Sequence, residues 1–565
     1  MASITNKSNI FFVTSPRTPD TLIPEIDLLV KNFSGQIWNP TTQASYYEIL
    51  SKQEYFKGSK TGDLAFKARD RITRAPKALG FVDLKPKISL TNAGNAFLYS
   101  NRGHESLLRQ LIKFQLHSPF HIDKNNEFNI RPYFELIKLI YELEGISKNE
   151  IAIFFIGLKH YRDYEKIKSK IEQFRVKKLE NKNIKKSYKQ FIAEEFEASL
   201  SDIYKKELSE GKISLRENEN ANLKKFFNTK KRNHLDYADA AIRYLRATRL
   251  FSFDPRSSKI YIPTESSTDV KFILEKNTSS IYSYSSESDY KKYLFDDKLP
   301  QLYTDNKSLL IQKIDNYKNF DTDFKNINSK SIEELKDIKD ELTNSSLDKL
   351  IKDEQTLLST YENYDDVIDV FSKIENKDIV DPPLQFEWNV WRALSMLNDG
   401  KIVGNFKIDD FGNPYNTAPP KKADIECFYE NFSMIVEVSL STGHKQYEQE
   451  GEPVARHFGD FKKSLEKNSA SMCVFIAPKI SDATLAYYFT LYSLDISFYG
   501  GTARIVPISL ENFKILLKNA ANNNIKPNSI DIQKLLEDLC SLVKDCSNEK
   551  EWSNKIDEKI STAFL

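Results

Sequence analysis

The strongest constraint on how this sequence folds is a pair of carboxylates embedded in two short apolar segments. Asp424 lies in ADIECF, and Glu437 lies inside FSMIVEVSL, thirteen positions later. Both segments have the composition of β-strands, and a hairpin of this span places the two acids side by side. A carboxylate among apolar side chains costs several kcal/mol of desolvation unless something compensates it. A divalent cation is the usual partner of converging carboxylates, so the pattern predicts a metal site.

Four further acids accompany this pair. Glu448, Glu450 and Glu452 are spaced by two in the polar segment after the second strand, and their spacing does not select which one reaches a metal. Glu387 lies in the predicted helix FEWNVWRALSML, at one end of the helix and close to its apolar stripe. Two alternatives remain open: Asp424 as a strand-end residue that caps a turn, and Glu387 as an N-terminal acid favoured by the helix dipole.

The chemistry that such acids support is phosphodiester hydrolysis. A Mg²⁺ ion held by converging carboxylates lowers the pKa of a bound water and offsets charge on the leaving oxygen. Arg456 and His457 follow the acidic segment and are candidates for phosphate contact or for orienting the acids. The alternative for each is a surface ion pair. The region is therefore predicted to be the site of a Mg²⁺-dependent nuclease.

The charge distribution indicates where a nucleic acid would bind. The totals of 82 Lys+Arg and 80 Asp+Glu give a formal net charge of only +2. Basic residues nevertheless outnumber acidic ones clearly in residues 1–265, and acidic residues outnumber basic ones in residues 266–565. This asymmetry favours a front part that holds a polyanion and a back part that holds cations. Solvated surface charge is the alternative explanation.

Residues 1–146 are predicted to form a first DNA-recognition subdomain with a winged helix. The helical stretch LAFKARDRITRAPKAL ends at Gly80, a plausible C-cap, although Pro76 interrupts it. The strands FVDL and ISL follow around the turn KPK, and Thr91 is a predicted N-cap for the next helix. A helix, a two-stranded wing and another helix are typical of an elaborated helix-turn-helix.

Residues 147–265 repeat this order and are predicted to be a second winged-helix subdomain. IAIFFIGL reads as a buried helix, HLDYADAAIRYLRATRLFSF as a helix running into a strand, and RLFSFDPRSSKIYIP as the wing. Arginine suits guanine recognition, and lysine or arginine suits phosphate. The predicted DNA-binding residues are Arg17, Lys67, Arg69, Arg71, Arg74, Lys77, Arg232, Arg243 and Arg246.

The remaining sequence divides into a helical linker, 266–362, and a cleavage domain, 363–565. Within the linker, NTSSIYSYSSESDYKKY is predicted to be a loop, and KSIEELKDIKDELTNSSLDKLIKDEQTLLSTYENY to form charged helices. No apolar run is long enough to span a membrane. The four cysteines form no CxxC pair, which argues against a zinc site or a disulfide framework and favours a reducing cytoplasm.

Several segments together resemble the type IIS restriction and nicking endonucleases of the AlwI, PleI and MlyI kind. The segments that carry the resemblance are SPRTP, LAFKARDRI, LGFV, ISLTNAGNAFL, the YADAAIRYLRATRLF region, FEW, PKKADIE, IVEVSLS and EGEPVARH. The resemblance implies a multidomain α+β protein. Its parts would be a tandem winged-helix recognition domain, a helical linker and a C-terminal α/β nuclease domain of the PD-(D/E)xK type.

The resemblance also implies a set of site residues. Glu387, Asp424, Glu437 and Glu450 would be catalytic, with Asp424, Glu437 and Glu450 as ligands of Mg²⁺. Glu452, Arg456 and His457 would support these acids. One departure concerns Ser439, because many relatives carry lysine at this position. That role would fall to Glu450, to a metal-bound water, or to Lys445.

The expected activity is that of a type IIS site-specific endonuclease. It would bind a short asymmetric sequence in double-stranded DNA and cut a few base pairs away. Because one nuclease domain makes one cut, cleavage of both strands needs a second copy or a small nuclease subunit, and a monomer would nick one strand. Two alternatives are a non-catalytic sequence-specific DNA-binding protein with a degenerate nuclease domain and, less favoured, an RNA-processing nuclease.

Overall fold

In the computed structural model the chain forms two compact units, Met1–Leu342 and Thr343–Leu565. The structure describes residues 2–16, 19–53, 55–56, 58, 62–181, 188–211, 213, 215, 222–255, 257–316, 326–376, 379, 381–397, 400–409, 412–416, 422–465 and 470–565. Within these residues, no helix is both long and apolar enough to cross a membrane.

The first unit is mostly helical, with short strands between the helices. Its helices are α1 (Leu22–Phe33), α2 (Pro40–Leu50), α3 (Leu64–Ile72), α4 (Asn92–Tyr99), α5 (Gly103–Lys113), α6 (Pro132–Glu142), α7 (Lys148–Ile153), α8 (Tyr164–Asn181), α9 (Tyr188–Ile203), α10 (Lys205–Ser209), α11 (Leu223–Arg246), α12 (Ser267–Lys276), α13 (Glu287–Phe295) and α14 (Lys307–Asp315). Its strands are β1 (Ala2–Ser3), β2 (Val82–Asp83), β3 (Ser89–Leu90), β4 (His121–Ile122), β5 (Ile146–Ser147), β6 (Ser252–Asp254) and β7 (Lys259–Tyr261).

The predicted order of helix, hairpin and helix is present at residues 64–99. Helix α3 continues through a wide turn at Thr73–Lys77, which accommodates Pro76, and the chain reverses at Gly80 with φ +77°. Strands β2 and β3 pair antiparallel. The side chain of Thr91 then accepts the N–H of Gly94 and begins α4 as the predicted N-cap.

A similar order occurs at residues 222–261. Asn222 caps the long helix α11, and strands β6 and β7 pair antiparallel after it. Strand β5 pairs with the other edge of β7, so this hairpin belongs to a three-stranded sheet in the order β5-β7-β6.

Two predictions for the linker region were imprecise. The Ser/Tyr-rich segment predicted as a loop contains helix α13, because Ser286 caps it and Tyr290 and Leu294 bury one side. The charged helices predicted after residue 330 form one continuous helix, α15 (Ile332–Leu358), which begins in the first unit and ends in the second.

The second unit is built on one sheet. Its other helices are α16 (Tyr364–Glu375), α17 (Pro382–Met396), α18 (His444–Gln446), α19 (Glu452–Ser464), α20 (Asp482–Tyr492), α21 (Leu510–Asn522), α22 (Ser529–Ser541) and α23 (Glu549–Ser561). Its strands are β8 (Lys401–Gly404), β9 (Lys407–Ile408), β10 (Pro414–Asn416), β11 (Ile425–Phe428), β12 (Phe432–Val438), β13 (Ala470–Ala477), β14 (Asp495–Ile496), β15 (Gly501–Thr502) and β16 (Ile505–Ser509).

The main sheet has five strands in the order β16-β13-β12-β11-β8. Strands β12, β13 and β16 are parallel, because helices connect them, whereas β11 is antiparallel to both of its neighbours. The predicted hairpin of β11 and β12 is therefore present. Edge strand β8 was not predicted. Its sequence, KIVG, is too short to show alternation.

Helices cover both faces of this sheet. Leu394 of α17 lines an apolar cavity together with Met434 of β12 and Phe513 of α21, which defines one face. On the other face, Phe475 of β13 contacts Tyr488 of α20 with ring centroids 5.7 Å apart. Alternate residues of a strand point to opposite faces, so Glu437, paired in register with Phe475, lies on the face of α20.

Candidate active site

The two strand carboxylates lie side by side where the hairpin of β11 and β12 opens. Ile425 pairs with Val436, so one further step of this register places Asp424 opposite Glu437. The backbone N–H of Val438 donates to Asp424 Oδ2 at 2.8 Å. Because this bond directs Asp424 along β12, its carboxyl comes within hydrogen-bonding reach of Glu437.

The pKa of each of these two carboxyl groups is raised by its surroundings. Burial, and then the charge of Glu437, raises the pKa of Asp424 well above its usual range, while the Val438 N–H opposes this shift. Burial, and then the charge of Glu450, raises the pKa of Glu437 to about 8, although its hydrogen bonds with Asp424 oppose the rise. In the absence of a cation, this pair therefore retains a proton near neutral pH.

Glu450 completes a group of three acids. It lies in the wide turn Tyr447–Gly451 that precedes α19, and its Oε1 accepts the hydroxyl of Ser439 at 2.8 Å. Tyr488 also donates its hydroxyl to the carbonyl oxygen of Glu450 at 3.1 Å. The charge of Glu450 contributes to the raised pKa of both strand acids, so the three groups share one electrostatic environment.

The neighbouring acids have other surroundings. Glu448 is exposed and lies 3.6 Å from His444. Glu452 is half exposed, and its carboxylate is 3.4 Å from Arg456 Nε. The pair of Glu452 and Arg456 thus corresponds to the surface ion pair that was the alternative for Arg456. Of the three spaced acids, Glu450 is the one whose charge reaches both Asp424 and Glu437.

His457, in contrast, contacts the acids directly. Its Nδ1 lies 2.9 Å from Glu437 Oε1. Burial, and then the charge of Arg456, lowers the pKa of His457. The imidazole is consequently neutral at neutral pH, and Nδ1–H can donate to Glu437 while it holds that carboxylate in place.

Glu387 is carried by helix α17, not by the hairpin or the turn that carry the other acids. It is buried on α17, with only 8% of its surface exposed. Leu394 and Leu397 of that helix share an apolar cavity with Met434, on the sheet face opposite to Glu437. The charges that shift the pKa of Asp424 and Glu437 belong to each other and to Glu450. A role for Glu387 in the site remains a prediction.

Gln446 was missed by the sequence reasoning. Its side-chain amide donates to the carbonyl oxygens of Ser441 and Lys479, each at 2.9 Å, and its Oε1 accepts the N–H of Ser481 at 2.7 Å. It is fully buried and ties the loop after β12 to the loop after β13. A glutamine in a polar segment gives no sequence signal for such burial.

The acids suit a hard divalent cation by their chemistry. Carboxylate oxygens are the ligands that Mg²⁺ prefers, and burial together with the charge of neighbouring acids raises the pKa of Asp424 and Glu437. In the described part of the chain, no three His, Cys, Asp or Glu side chains are already arranged as a metal centre. The donor set of Asp424, Glu437 and Glu450 therefore fits the ion in chemical type.

A family comparison identifies what kind of protein contains this site. The sequence profile of the AlwI restriction endonuclease family matches residues 77–516. This chain belongs to the AlwI restriction endonuclease family. The matched region contains α17, the hairpin of β11 and β12, and α19, and hence all the acids discussed above. The resemblance expected from the sequence motifs is confirmed, and membership implies a DNA nuclease.

Solved structures of restriction enzymes also show partial similarity to this AlwI-family chain. The small subunit of the heterodimeric restriction endonuclease R.BspD6I is 28% identical, over 34% of this chain and 98% of that subunit, with a TM-score of 0.30. The binding domain of the BpuJ1 endonuclease, in complex with modified DNA, is 14% identical, over 49% of this chain and 90% of that domain, with a TM-score of 0.30. The structure of FokI bound to DNA is 11% identical, over 85% of this chain and 83% of that chain, with a TM-score of 0.23. No curated protein matches the chain.

Helix α3 of this family member presents basic side chains at its surface. Arg69 is exposed and stacks over the ring of Phe66. Arg74, in the turn that follows α3, is 45% exposed, and its Nε donates to Asp70 at 2.7 Å. Lys67 is half-buried near Tyr47. Arg69 and Arg74 are thus exposed at the surface of the first unit, and the DNA contacts of Lys67, Arg69 and Arg74 stay predictions.

Two other predicted contacts of this region have structural partners. Arg71 forms a two-point ion pair with the fully buried Glu25, one bond of which is 2.5 Å long. Lys77 lies 4.7 Å from the centre of the Phe120 ring, and burial lowers its pKa. Arg71 is therefore part of the packing of the first unit. Arg17 lies outside the described residues.

The basic residues of α11 also differ in how far their side chains are exposed. Arg232 is exposed and lines an open groove of about 330 Å³ with Lys224 and Lys225. Arg243 is half-buried, and its Nε donates to Asp239 at 2.9 Å. Arg246 is only 2% exposed, which places its side chain inside the first unit, and its contact with DNA stays a prediction.

Proposed function

We propose that this chain is a type IIS site-specific DNA endonuclease that depends on a divalent metal. It would bind a short asymmetric sequence in duplex DNA and hydrolyse a phosphodiester a few base pairs outside that sequence. The observation that carries the proposal is the contact of Asp424 with Glu437 at the open end of the hairpin of β11 and β12, with the charge of Glu450 acting on both, in a restriction endonuclease family member.

The chain's own residues have distinct tasks in this reaction. Asp424, Glu437 and Glu450 would hold Mg²⁺ through carboxylate oxygens. The Val438 N–H orients Asp424, and His457 orients Glu437. Bound Mg²⁺ supplies a water of lowered pKa and offsets charge on the leaving oxygen.

The two units would divide recognition from cleavage. We assign residues 1–146 and 147–265 to tandem winged-helix subdomains, 266–362 to a helical linker, and 363–565 to a PD-(D/E)xK-type nuclease domain. The helix–hairpin–helix at 64–99 and the hairpin after α11 support the first two assignments. The boundary between the units, after Leu342, falls inside the linker. Separate reading and cutting units account for cleavage at an offset from the bound sequence.

The number of strands cut follows from the number of sites. One group of three acids holds the ions for one phosphodiester, so a single copy would nick one strand. Cleavage of both strands would require a second copy of this chain or a small nuclease subunit. The enzyme would act in the cytoplasm, where DNA and Mg²⁺ are both available.

The decisive experiment incubates the protein with supercoiled plasmid and Mg²⁺, and sequences the resulting ends. We expect breaks at a constant distance from one short sequence, and EDTA should abolish them. The variant Glu437→Gln keeps the side-chain volume but removes a carboxylate, so it should bind the same DNA and leave the plasmid intact. Sequence-specific binding without any Mg²⁺-dependent break in the wild type would favour the alternative, a non-catalytic DNA-binding protein.

A further inference from the structure

Ser439, the residue that immediately follows β12, forms hydrogen bonds through its backbone N–H and its hydroxyl. Its backbone N–H donates to the carbonyl oxygen of Ile476 at 3.0 Å, which extends the parallel pairing of β12 with β13. Its Oγ accepts the N–H of Ser441 at 3.0 Å and donates to Glu450 Oε1 at 2.8 Å. Because the Ser441 N–H occupies one side of the oxygen, the hydroxyl hydrogen is directed at Glu450.

We propose that Ser439 is a positioning residue that holds the carboxylate of Glu450 beside Asp424 and Glu437, so that the three acids present one cation site. This inference rests on the proposed function, because it concerns how this chain assembles the metal ligands. Ser439 itself would touch neither metal nor DNA. It would act through Glu450.

Electrostatics explains why Glu450 needs such an anchor. Asp424 and Glu437 are set by the strand register, whereas Glu450 lies in a turn outside the sheet. Like charges repel each other more strongly in a partly buried site than in water, so Asp424 and Glu437 push the carboxylate of Glu450 away from them. A hydrogen bond from a buried hydroxyl to this carboxylate opposes that displacement.

The surrounding loop supports the same geometry. Tyr488 donates its hydroxyl to the Glu450 carbonyl oxygen at 3.1 Å. The buried amide of Gln446 holds the same loop against the one after β13. The backbone around Glu450 is thus fixed from several sides, and the bond from Ser439 fixes its carboxylate.

Lys445 was one of three candidates for the role of the missing lysine, together with Glu450 and a metal-bound water. It is exposed on the short helix α18. Ser439, by contrast, is only 6% exposed and contacts an acid of the site directly. The structure therefore favours anchoring of a third carboxylate at this position over supply of a positive charge.

The test measures Mn²⁺ binding by calorimetry and the Mg²⁺ concentration needed for half-maximal plasmid cleavage. Loss of a residue that orients a metal ligand typically weakens metal affinity by about 10–100-fold. We expect Ser439→Ala to weaken Mn²⁺ binding by about 10-fold and to raise the Mg²⁺ requirement similarly, with DNA affinity unchanged. Ser439→Thr retains the hydroxyl, so its Mn²⁺ affinity should stay within about 3-fold of the wild type. This change is smaller than the loss that follows removal of an orienting partner.

Two controls separate positioning from folding. Ser441→Ala removes a hydroxyl from the same loop that bonds Gln449 and not Glu450, so its Mn²⁺ affinity should match the wild type. In a Glu450→Gln background, Ser439→Ala should cause no further loss, because Ser439 acts through that carboxylate. Equal melting temperatures show that each variant is folded, and the double variant decides the question if Ser439→Ala alone is unstable.

The inference is overturned if the wild type cleaves DNA but Ser439→Ala binds Mn²⁺ and depends on Mg²⁺ as the wild type does. It is also overturned if Ser441→Ala loses as much affinity, or if Ser439→Ala weakens binding further in the Glu450→Gln background. A wild type that neither binds Mn²⁺ nor cleaves DNA would instead overturn the proposed function, and this inference with it.

Discussion

The imidazole of His457 joins helix α19 to strand β12 through the carboxylate of Glu437, with Nδ1 and Oε1 2.9 Å apart. The lowered pKa of His457 keeps the ring neutral, so that it donates one hydrogen bond and adds no positive charge to the acids. A neutral partner orients Glu437 without competing with a cation for its negative charge. The same contact therefore suits a metal ligand better than an arginine would.

Replacing His457 should impair cleavage more than binding. His457→Ala leaves Glu437 without its partner, and we expect the cleavage rate to fall by about 10–100-fold. His457→Asn places an amide N–H near the position of Nδ1 and should recover much of that rate. The matched control is Lys463→Ala, which removes an exposed ion pair with Asp460 from the same helix and should change the rate by less than about 3-fold. The measurement is single-turnover cleavage of plasmid, and equal rates for His457→Ala and wild type would contradict the orienting role.

The neighbouring positions of Asp424 and Glu437 could be predicted from the sequence because strand register is local. Two apolar segments joined by a short turn determine which residues face each other. The choice of Glu450 over Glu448 and Glu452 could not be predicted in this way. It depends on the wide turn Tyr447–Gly451, an irregular helical turn that no periodic pattern indicates, and it came from the family resemblance.

Burial separates the basic residues of the first unit in a way that their sequence pattern does not. Arg243 and Arg246 lie on one helical face by periodicity, but only tertiary packing shows that this face is turned inward. Arg71 could not be distinguished from Arg69 for the same reason, since its partner Glu25 is distant in sequence. Charge and spacing predict that a helix is basic, whereas partners on other helices decide which of its charges remain available.

A buried ion-pair network should stabilise the first unit through Lys336 of α15. Its Nζ lies 2.7 Å from Glu105 and 3.2 Å from Asp305, and the side chain is almost fully buried. Removing one partner of a buried pair costs about 3–5 kcal/mol, because an uncompensated charge remains. We expect Lys336→Ala to cost about 3 kcal/mol, the lower end of that range, since Arg109 still pairs with Asp305.

Urea unfolding of the purified chain measures this effect. Lys271→Ala is the matched control in the same unit, because Lys271 and Glu275 are 3.9 Å apart and both more than half exposed. Its loss should be no more than about 0.5 kcal/mol, as is usual for exposed pairs. Similar free energies of unfolding for the two variants would show that the network around Lys336 contributes no more than a surface pair.

Glu135 should make the first unit less stable as the pH rises. This residue of α6 is fully buried, and burial raises its pKa from 4.5 to about 7. The folded state therefore binds more protons than the unfolded state between these pH values, so the free energy of unfolding falls as the pH rises through that window. Glu135→Gln removes the titrating group and should stabilise the protein at pH 8 by about 2–3 kcal/mol, with little gain at pH 4.5.

Urea titrations of wild type and Glu135→Gln at pH 4.5 and pH 8 test this sign. Glu165→Gln, at an exposed position of α8, is the control and should leave the pH dependence of stability unchanged. A gain for Glu135→Gln of equal size at both pH values would point to a packing effect instead of the ionisation of Glu135.

Arg69 and Arg74 should contribute to DNA affinity through phosphate contacts. Each contact releases counterions, so its removal weakens binding to all sequences and reduces the slope of log affinity against log salt by about 1. We expect this change for Arg69→Ala and for Arg74→Ala, measured by fluorescence anisotropy on a duplex that contains the cleavage site. An unchanged salt slope in both variants would show that the DNA-binding surface does not include Arg69 and Arg74.

Arg71→Ala distinguishes a DNA contact from a structural contact on the same helix. Its guanidinium is paired with Glu25, which is fully buried, so the variant leaves a carboxylate uncompensated inside the first unit. The cost should appear in the free energy of unfolding, at about 3–5 kcal/mol, and the salt slope of the folded fraction should stay that of the wild type. A reduced slope with unchanged stability would mean that Arg71 leaves Glu25 to bind DNA, and the ion pair would then have to open when the complex forms.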